Sequence, residues 1–256
     1  MPGVPAIPSA DYDAVLFDLD GVLTDTASLH ATAWKQMFDE FLRHYCGDRG
    51  MPFEPFEIAT DYRTYVDGKP RYEGVSAFLE SRRIVLPLGG VRDQPSDDTV
   101  HGLGNRKNER LQELLAAGVQ AYPGSVDVVD RLLADGIRLS VVSSSRNARP
   151  VLEAAGLLDR FELVVDGIVA DEEGIDGKPA PDTFLAAAGK MGVTAERSVV
   201  IEDAIAGVEA GRGGGFGLVI GVNREDGDED SRTANAVALQ AHGAQVVVDD
   251  LAELLD

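Results

Sequence analysis

From Tyr122 onward the sequence alternates between short apolar runs and segments of helical periodicity, and this alternation limits the fold more than any other feature. Ile137–Ser143, Glu162–Asp166, Ser198–Ile201, Leu218–Val222 and Gln245–Val248 read as buried strands. Between them, Asn147–Ala155 reads as a helix closed by Gly156, and Pro181–Met191 as one closed by Gly192. Ser125–Ala134 is a further helical segment. Strands that alternate with helices predict a parallel sheet covered on both faces. One more apolar run, Ala14–Phe17, lies far upstream and stops at Asp18-Leu19-Asp20-Gly21. Roughly a hundred residues of mostly helical sequence separate it from the other strands. The expected fold is α/β, a Rossmann-like doubly wound parallel sheet with an α-helical domain inserted after the first strand.

Within the insertion, Leu29, Trp34, Met37, Phe38, Phe41 and Tyr45 recur at three- and four-residue spacing, so a helix is expected from Ala27 to about Tyr45. Pro52, Pro55, Pro70, Pro87 and Pro95 interrupt the next stretch, with Gly89-Gly90 between the last two. Short helices and a long loop near Leu86–Gly102 are expected there, followed by an amphipathic helix over Asn105–Ala117. The acidic stretch Glu225–Asp230 reads as a solvated loop.

Lys and Arg total 23 against 44 Asp and Glu, a formal charge of −21. Such a surface repels phosphate backbones, so nucleic acid is not an expected partner. Any phosphate site must then be a local cluster of cations and backbone N–H groups working against the global field. The single Cys46 rules out an intrachain disulfide and a Cys-rich zinc site. Met1–Tyr12 lacks the basic start and apolar run of a signal peptide, and no apolar stretch is long enough to span a bilayer. The expectation is a cytoplasmic protein with no membrane partner.

In open parallel sheets, ligands bind beyond the carboxyl ends of the strands. Four such ends carry chemistry here: Asp18 and Asp20, Ser143, Lys178 on the loop after the 162–166 strand, and Glu202-Asp203. Asp18, Glu202 and Asp203 offer hard oxygen ligands for a small divalent cation. Lys178 and Ser143 supply a charge and a hydroxyl for phosphate oxygens, and phosphoryl transfer needs mainly positioning and charge neutralisation. One carboxylate can attack phosphorus while the other moves the proton of the leaving or accepting oxygen. Taken singly, each group has an ordinary explanation. An Asp-x-Asp at a strand end is commonly a turn, a Ser a cap, a Lys before Pro a surface residue, and Glu202-Asp203 an acidic helix start. Neither Asp18 nor Asp226 opens a calcium loop, because the twelfth positions are Leu29 and Val237. Gly213-Gly214-Gly215 is not a dinucleotide fingerprint but a flexible helix exit, and Gly177-Lys178-Pro179 lacks the spaced first glycine of a P-loop.

The four stretches together resemble the motifs of the haloacid dehalogenase (HAD) superfamily: Asp18–Thr26, Ser143–Asn147, Gly177–Asp182 and Ile201–Gly207. The resemblance implies that Asp18 is a nucleophile and Asp20 a general acid/base, with Ser143, Ser145, Arg146, Asn147 and Lys178 around the transferring phosphate. It implies Mg²⁺ held by Asp18, the Asp20 carbonyl, Glu202 and Asp203. Thr24-Asp25-Thr26, Gly68-Lys69-Pro70-Arg71 and Arg106-Lys107-Asn108 are similar to the β-phosphoglucomutase-like subfamily. That likeness makes residues 1–26 and 119–256 the core and 27–118 a helical cap. It assigns His30 to positioning the acid/base, and Thr26, Trp34, Gly68, Arg71 and Lys107 to the substrate, Arg71 gripping its distal phosphate. On sequence alone His30 and Trp34 would be packing residues, and Arg71 and Lys107 solvated surface. The implied partner is a small phosphorylated sugar, with β-glucose 1,6-bisphosphate as intermediate or activator; a monomer is the expected state, with an oligomer as the alternative. The rival readings are a sugar-phosphate phosphatase, which shares the first chemical step, and a non-catalytic binding module of the same fold. The sequence departs from the subfamily in the length of Leu86–Gly102, in Lys69-Pro70 before Arg71, and in Ala204 where Ser is common.

Overall fold

A computed structural model describes residues 7, 8, 10–225 and 227–255. The reading of Met1–Tyr12 falls largely outside these residues, and that of Glu225–Asp230 does so at Asp226. In chain order the elements are β1 (Ala14–Phe17), α1 (Ala27–Gly47), a π-helical segment (Ile58–Val66), α2 (Arg71–Ser81), α3 (Val100–Leu115) and α4 (Pro123–Ala134). There follow β2 (Arg138–Val142), α5 (Ala148–Ala154), β3 (Leu163–Val165), α6 (Gly167–Glu173), α7 (Asp182–Met191) and β4 (Ser198–Glu202). Then come α8 (Ile205–Gly213), β5 (Leu218–Val222), α9 (Glu229–His242) and β6 (Val246–Val248), followed by a 3-10 turn over Leu251–Leu255.

Among the described residues six strands form one parallel sheet in the order β3-β2-β1-β4-β5-β6. β1 sits inside the sheet with Phe17 opposite Val141 of β2 and Ile201 of β4. All four β1 residues are fully buried, as expected of a strand whose two faces are both covered. The chain builds β2 and β3 on one side of β1, then returns to its other side for β4, β5 and β6. The winding direction therefore reverses at β1, which opens a crevice at the carboxyl ends of β1, β2 and β4.

By its packing the chain divides into two units, Met1–Asp25 with Val119–Asp256, and Thr26–Gly118. The first is built on the sheet, with Leu16, Val142, Val200 and Val219 packed among Phe184, Met191 and Val208 from the helices. The second has an aromatic core of Trp34, Phe38, Phe41, Phe56 and Phe78, in which the Phe38 ring lies 4.1 Å from Phe78 and 5.1 Å from Phe56. Such contacts add about 0.5–1.5 kcal/mol each to the burial of the rings.

Three elements differ from expectation. α3 starts at Val100, inside the expected loop, with the Thr99 hydroxyl accepting from Gly102 N at 2.9 Å. Gly102 and Gly104 disfavour a helix locally, but close packing requires them. A Cβ at 102 would lie 2.2 Å from the Asp97 carbonyl, and one at 104 would lie 2.6 Å from the Tyr72 ring. The short α6 has no apolar repeat to announce it and is fixed at its ends instead. The Asp166 carboxylate accepts from Ile168 N and Val169 N at 3.0 Å, and Gly174 closes the helix at φ +66. The acidic stretch is only partly a loop: the Asp228 carboxylate caps Ser231 N at 2.9 Å, and Glu229 and Asp230 form the first turn of α9. Acidic residues are favourable there, beside the free N–H groups of a helix start. Among the described residues, no helix is long and apolar enough to cross a membrane.

Candidate active site

The loop leaving β1 is shaped by one glycine. Asp18 N donates to Ile201 O at 2.9 Å, carrying the ladder with β4 one residue past the strand. The chain then turns tightly, with Gly21 N on Thr24 O and Leu23 N on Leu19 O, both at 2.9 Å. Gly21 adopts φ +84, and a Cβ there would sit 1.9 Å from the Asp203 carboxylate. Position 21 must be glycine both for its backbone and for the space that Asp203 occupies.

Lys178 ties the strand ends together. Its ammonium donates to Asp18 Oδ1 and Glu202 Oε1, each at 2.5 Å, and to the Val142 carbonyl at 2.9 Å. It also lies 4.9 Å from the centre of the Phe184 ring and is 1% exposed. Burial works against its charge, but the Asp18 and Glu202 carboxylates outweigh that and hold its pKa above the ordinary lysine value. Burial pushes Asp18 and Glu202 up despite the pull of Lys178, with the negative charge of Asp20 adding to the rise at Asp18 and that of Asp18 to the rise at Glu202. The second Glu202 oxygen accepts from Ala204 N at 3.0 Å. Gly207, in the first turn of α8, leaves room for this carboxylate, since a Cβ would come within 1.8 Å of Oε1.

Asp18, Glu202 and Asp203 offer carboxylate oxygens that all lie within 4.8 Å of one another. The Lys178 ammonium is bonded to two of these three carboxylates, and the donors are hard oxygens. This set fits a divalent cation that keeps several waters or substrate oxygens in its shell.

At the end of β2, the buried Ser143 hydroxyl accepts from Ser145 N, and the Ser145 hydroxyl from Asn147 N, both at 3.1 Å. Arg146 points elsewhere: it is exposed and pairs with Asp171 on α6. The residues of the 12–25 and 119–255 segments that the structure gathers are thus Asp18, Lys178, Glu202 and Asp203, with Val142, next to Ser143, as their backbone partner.

Sequence reasoning missed Arg224. Its Nε donates to the Gly21 carbonyl at 2.7 Å, and its guanidinium lies 3.8 Å from the centre of the Tyr122 ring. Tyr122 in turn donates to Asp25 at 3.1 Å. Arg224 therefore braces the turn that carries Asp18 and Asp20. The available signal was its place two residues after β5, at the same sheet edge as the acidic groups.

The Thr26–Gly118 unit holds the other candidates. Thr26 is fully buried at the start of α1, where its carbonyl accepts from His30 N at 2.9 Å. Trp34, one turn after His30, stacks on Phe38 at 5.4 Å. Lys107 of α3 is buried, with its Nζ 3.2 Å from His30 Nδ1 and 5.2 Å from the centre of the Trp34 ring. An ammonium only donates, so Nδ1 accepts and the proton of a neutral His30 is assigned to Nε2. Burial, followed by the charges of Lys107 and Arg71, holds the His30 pKa well below its ordinary value. Gly68, at φ +67, turns the chain into α2, whose first residue is Arg71.

Residues 12–215 match the haloacid dehalogenase-like hydrolase family, and the chain belongs to it. A β-phosphoglucomutase of Mycobacterium tuberculosis is 53% identical over 244 residues, 94% of this chain and 91% of that protein. The β-phosphoglucomutase of Bacillus subtilis is 32% identical over 213 residues, 82% of this chain and 83% of that one. The fold is shared with a β-phosphoglucomutase structure from Clostridium difficile, with a TM-score of 0.70 at 24% identity over 95% of this chain and 93% of that one. Within the family, these identities place the chain in the β-phosphoglucomutase subfamily.

Proposed function

We propose that the protein is a Mg²⁺-dependent β-phosphoglucomutase, interconverting β-D-glucose 1-phosphate and glucose 6-phosphate through β-glucose 1,6-bisphosphate. The observation that carries the site assignment is the Lys178 ammonium, 2.5 Å from both Asp18 and Glu202 with Asp203 beside them. The substrate assignment draws on the activity named for the mycobacterial and Bacillus relatives.

Asp18 is the nucleophile. As phosphoaspartate it passes its phosphoryl group to the free 6-hydroxyl of β-glucose 1-phosphate: the bond from phosphorus to Asp18 breaks and Asp20 takes the hydroxyl proton, giving β-glucose 1,6-bisphosphate. In the return step the Asp18 carboxylate attacks the phosphorus on the 1-position, the bond from phosphorus to that sugar oxygen breaks, and Asp20 gives the oxygen its proton, leaving glucose 6-phosphate. Lys178, Ser143, Ser145 and Asn147 hold the phosphoryl oxygens. Asp18, the Asp20 carbonyl, Glu202 and Asp203 hold Mg²⁺, which when bound offsets the charge of those oxygens. Lys178 keeps Asp18 ionised and oriented between turnovers. His30, neutral and protonated on Nε2, serves as a hydrogen-bond donor rather than a base. Arg71 and Lys107 bind the phosphate that is not being transferred, and Thr26, Trp34 and Gly68 shape the sugar site around them.

The test is to incubate the protein with Mg²⁺, β-glucose 1-phosphate and a trace of β-glucose 1,6-bisphosphate, and to measure glucose 6-phosphate and free phosphate separately. Glucose 6-phosphate in large excess over free phosphate is expected, and Asp18→Asn should abolish both. Phosphate release without isomer would make the protein a phosphatase. Near-normal turnover in Asp18→Asn would overturn the mechanism.

A further inference from the structure

Arg71 does not stand alone at the start of α2. Its Nη2 donates to the Tyr72 hydroxyl at 3.1 Å, and its guanidinium carbon lies 4.9 Å from the centre of the Tyr72 ring. The Tyr72 hydroxyl donates onward to Asn105 Oδ1 at 2.9 Å. The Asn105 amide nitrogen is itself fixed, donating to the Asp93 carbonyl at 2.9 Å and the Val91 carbonyl at 3.3 Å. Those two carbonyls belong to the long segment before α3, which is further pinned by Arg106 Nε on the Pro95 carbonyl at 2.6 Å and by Thr99 on Asp93 at 2.5 Å.

The Tyr72 ring has little freedom. It lies 3.9 Å from the His101 ring and against Gly104, where any side chain would collide with it. An arginine on a flexible stem loses much rotamer freedom when it binds an anion, and a preset guanidinium loses less. Arg71 Nε is buried and has no hydrogen-bond partner among the described residues. It is a donor that a phosphate oxygen would satisfy.

From this geometry we infer that Tyr72 and Asn105 are positioning residues for Arg71. Through them the long segment between α2 and α3 sets how the enzyme grips the non-transferring phosphate. The inference rests on the assignment of Arg71 to that phosphate. It gives the extra length of the segment a part in substrate recognition: the loop carbonyls orient Asn105, Asn105 orients the Tyr72 hydroxyl, and that hydroxyl holds one edge of the guanidinium.

The experiment is a double-mutant cycle of Arg71→Ala and Tyr72→Phe, read as KM for β-glucose 1,6-bisphosphate and as the rate of hydrolysis of an aryl phosphate, which has no second phosphate. Tyr72→Phe keeps the ring packing and removes only the hydroxyl. It should raise the bisphosphate KM about tenfold or more, as loss of one hydrogen bond to a charged group predicts. Its effect on aryl phosphate should be at least threefold smaller. Added to Arg71→Ala, it should raise KM no further. Asn105→Ala should shift KM in the same direction as Tyr72→Phe. If Arg71→Ala raises KM and Tyr72→Phe does not, the positioning role is wrong while the Arg71 assignment stands. Additive effects in the double variant, or equal losses on both substrates, would also overturn it. If Arg71→Ala leaves KM unchanged, the Arg71 assignment itself fails, and the positioning role falls with it.

Discussion

Gly207→Ala is a small change with a large expected effect. Gly207 lies in the first turn of α8, where alanine is the better helix former by about 0.5–1 kcal/mol. Local propensity alone therefore predicts a slightly more stable protein. Packing predicts the opposite. The new Cβ would sit 1.8 Å from Glu202 Oε1 and 1.9 Å from its Cδ. To restore an ordinary contact of about 3.5 Å, the carboxylate must retreat by roughly 1.5 Å. A carboxylate at the end of a free side chain would swing away at little cost. Glu202 is 1% exposed, and its two oxygens are held by Lys178 at 2.5 Å and Ala204 N at 3.0 Å. Overpacking costs about 1–3 kcal/mol, and losing a hydrogen bond to a charged partner about 1.5–3 kcal/mol. Since about 1 Å of misplacement at a reacting centre can cost a hundredfold in rate, kcat/KM should fall about a hundredfold or more, roughly 2.7 kcal/mol. The assay is glucose 6-phosphate formation at saturating Mg²⁺, with a thermal melt in parallel that should show Tm lowered by roughly 10 °C. Activity within threefold of wild type, or a Tm at or above it, would refute the reasoning.

Lys178→Met would leave the buried carboxylates of Asp18 and Glu202 facing each other without their cation, so urea denaturation should show a loss of about 3–5 kcal/mol; unchanged stability would mean that the bridge is not what holds the strand ends. Chelation with EDTA should bring mutase turnover to background and added Mg²⁺ should restore it, whereas turnover that survives chelation would rule out the cation assigned to Asp18, Glu202 and Asp203. His30, buried beside Lys107 and facing the charge of Arg71, has its folded pKa below the unfolded value of about 6.5. Its share of stability is thus intact above that pH and is lost as pH falls through it. The stability of wild type relative to His30→Gln should be flat above pH ~7 and decline below it by up to ~1.4 kcal/mol per pH unit, and a difference independent of pH would show that His30 is not held neutral.

The sheet was legible in the sequence because its strands are short apolar runs that end at chemically marked residues. Ala14–Phe17 and Leu218–Val222 have the same limits in the structure as in the sequence reading, and all six strands were found. Elements held by their ends rather than by a buried face were not legible. α9 fully buries only Leu239 and takes its start from Asp228, so composition alone suggested solvated loop. α6 buries no residue fully. The start of α3 lies inside the segment that Pro87, Pro95 and Gly89-Gly90 mark as a loop, and its glycines at 102 and 104 are demanded by packing against Asp97 and Tyr72, which composition does not show. The same limit applied in the candidate site. Asp18, Lys178, Glu202 and Asp203 stand out in the sequence by their types and order, and the structure brings them together. Arg224, Tyr72 and Asn105 do not stand out, since each acts through a neighbour distant in sequence: Arg224 on the Gly21 carbonyl, Tyr72 on Asn105.

The strand order 3-2-1-4-5-6 is also that of dinucleotide-binding sheets, yet nothing at the end of β1 suits a dinucleotide. There a glycine-rich turn would offer backbone N–H groups to a pyrophosphate. Here the same edge presents carboxylates, and its glycines make room for acidic side chains: Gly21 for Asp203 and Gly207 for Glu202. An anionic substrate must then be held by cations that the protein supplies or recruits, in a chain whose formal charge is −21. Burial is what lets the cations proposed for that task act. Surface charges are screened beyond about 8 Å at physiological ionic strength, whereas a buried charge is screened far less. Lys178 and Lys107, 1% and 4% exposed, therefore act at short range with a strength that the surrounding acidic surface does not cancel. The same burial would be costly for a cation without anions nearby, and at Lys178 it is offset by Asp18 and Glu202. The contacts that stabilise these strand ends are thus made by groups proposed to bind Mg²⁺ and phosphate, and ligand binding exchanges partners among charges that are already paired.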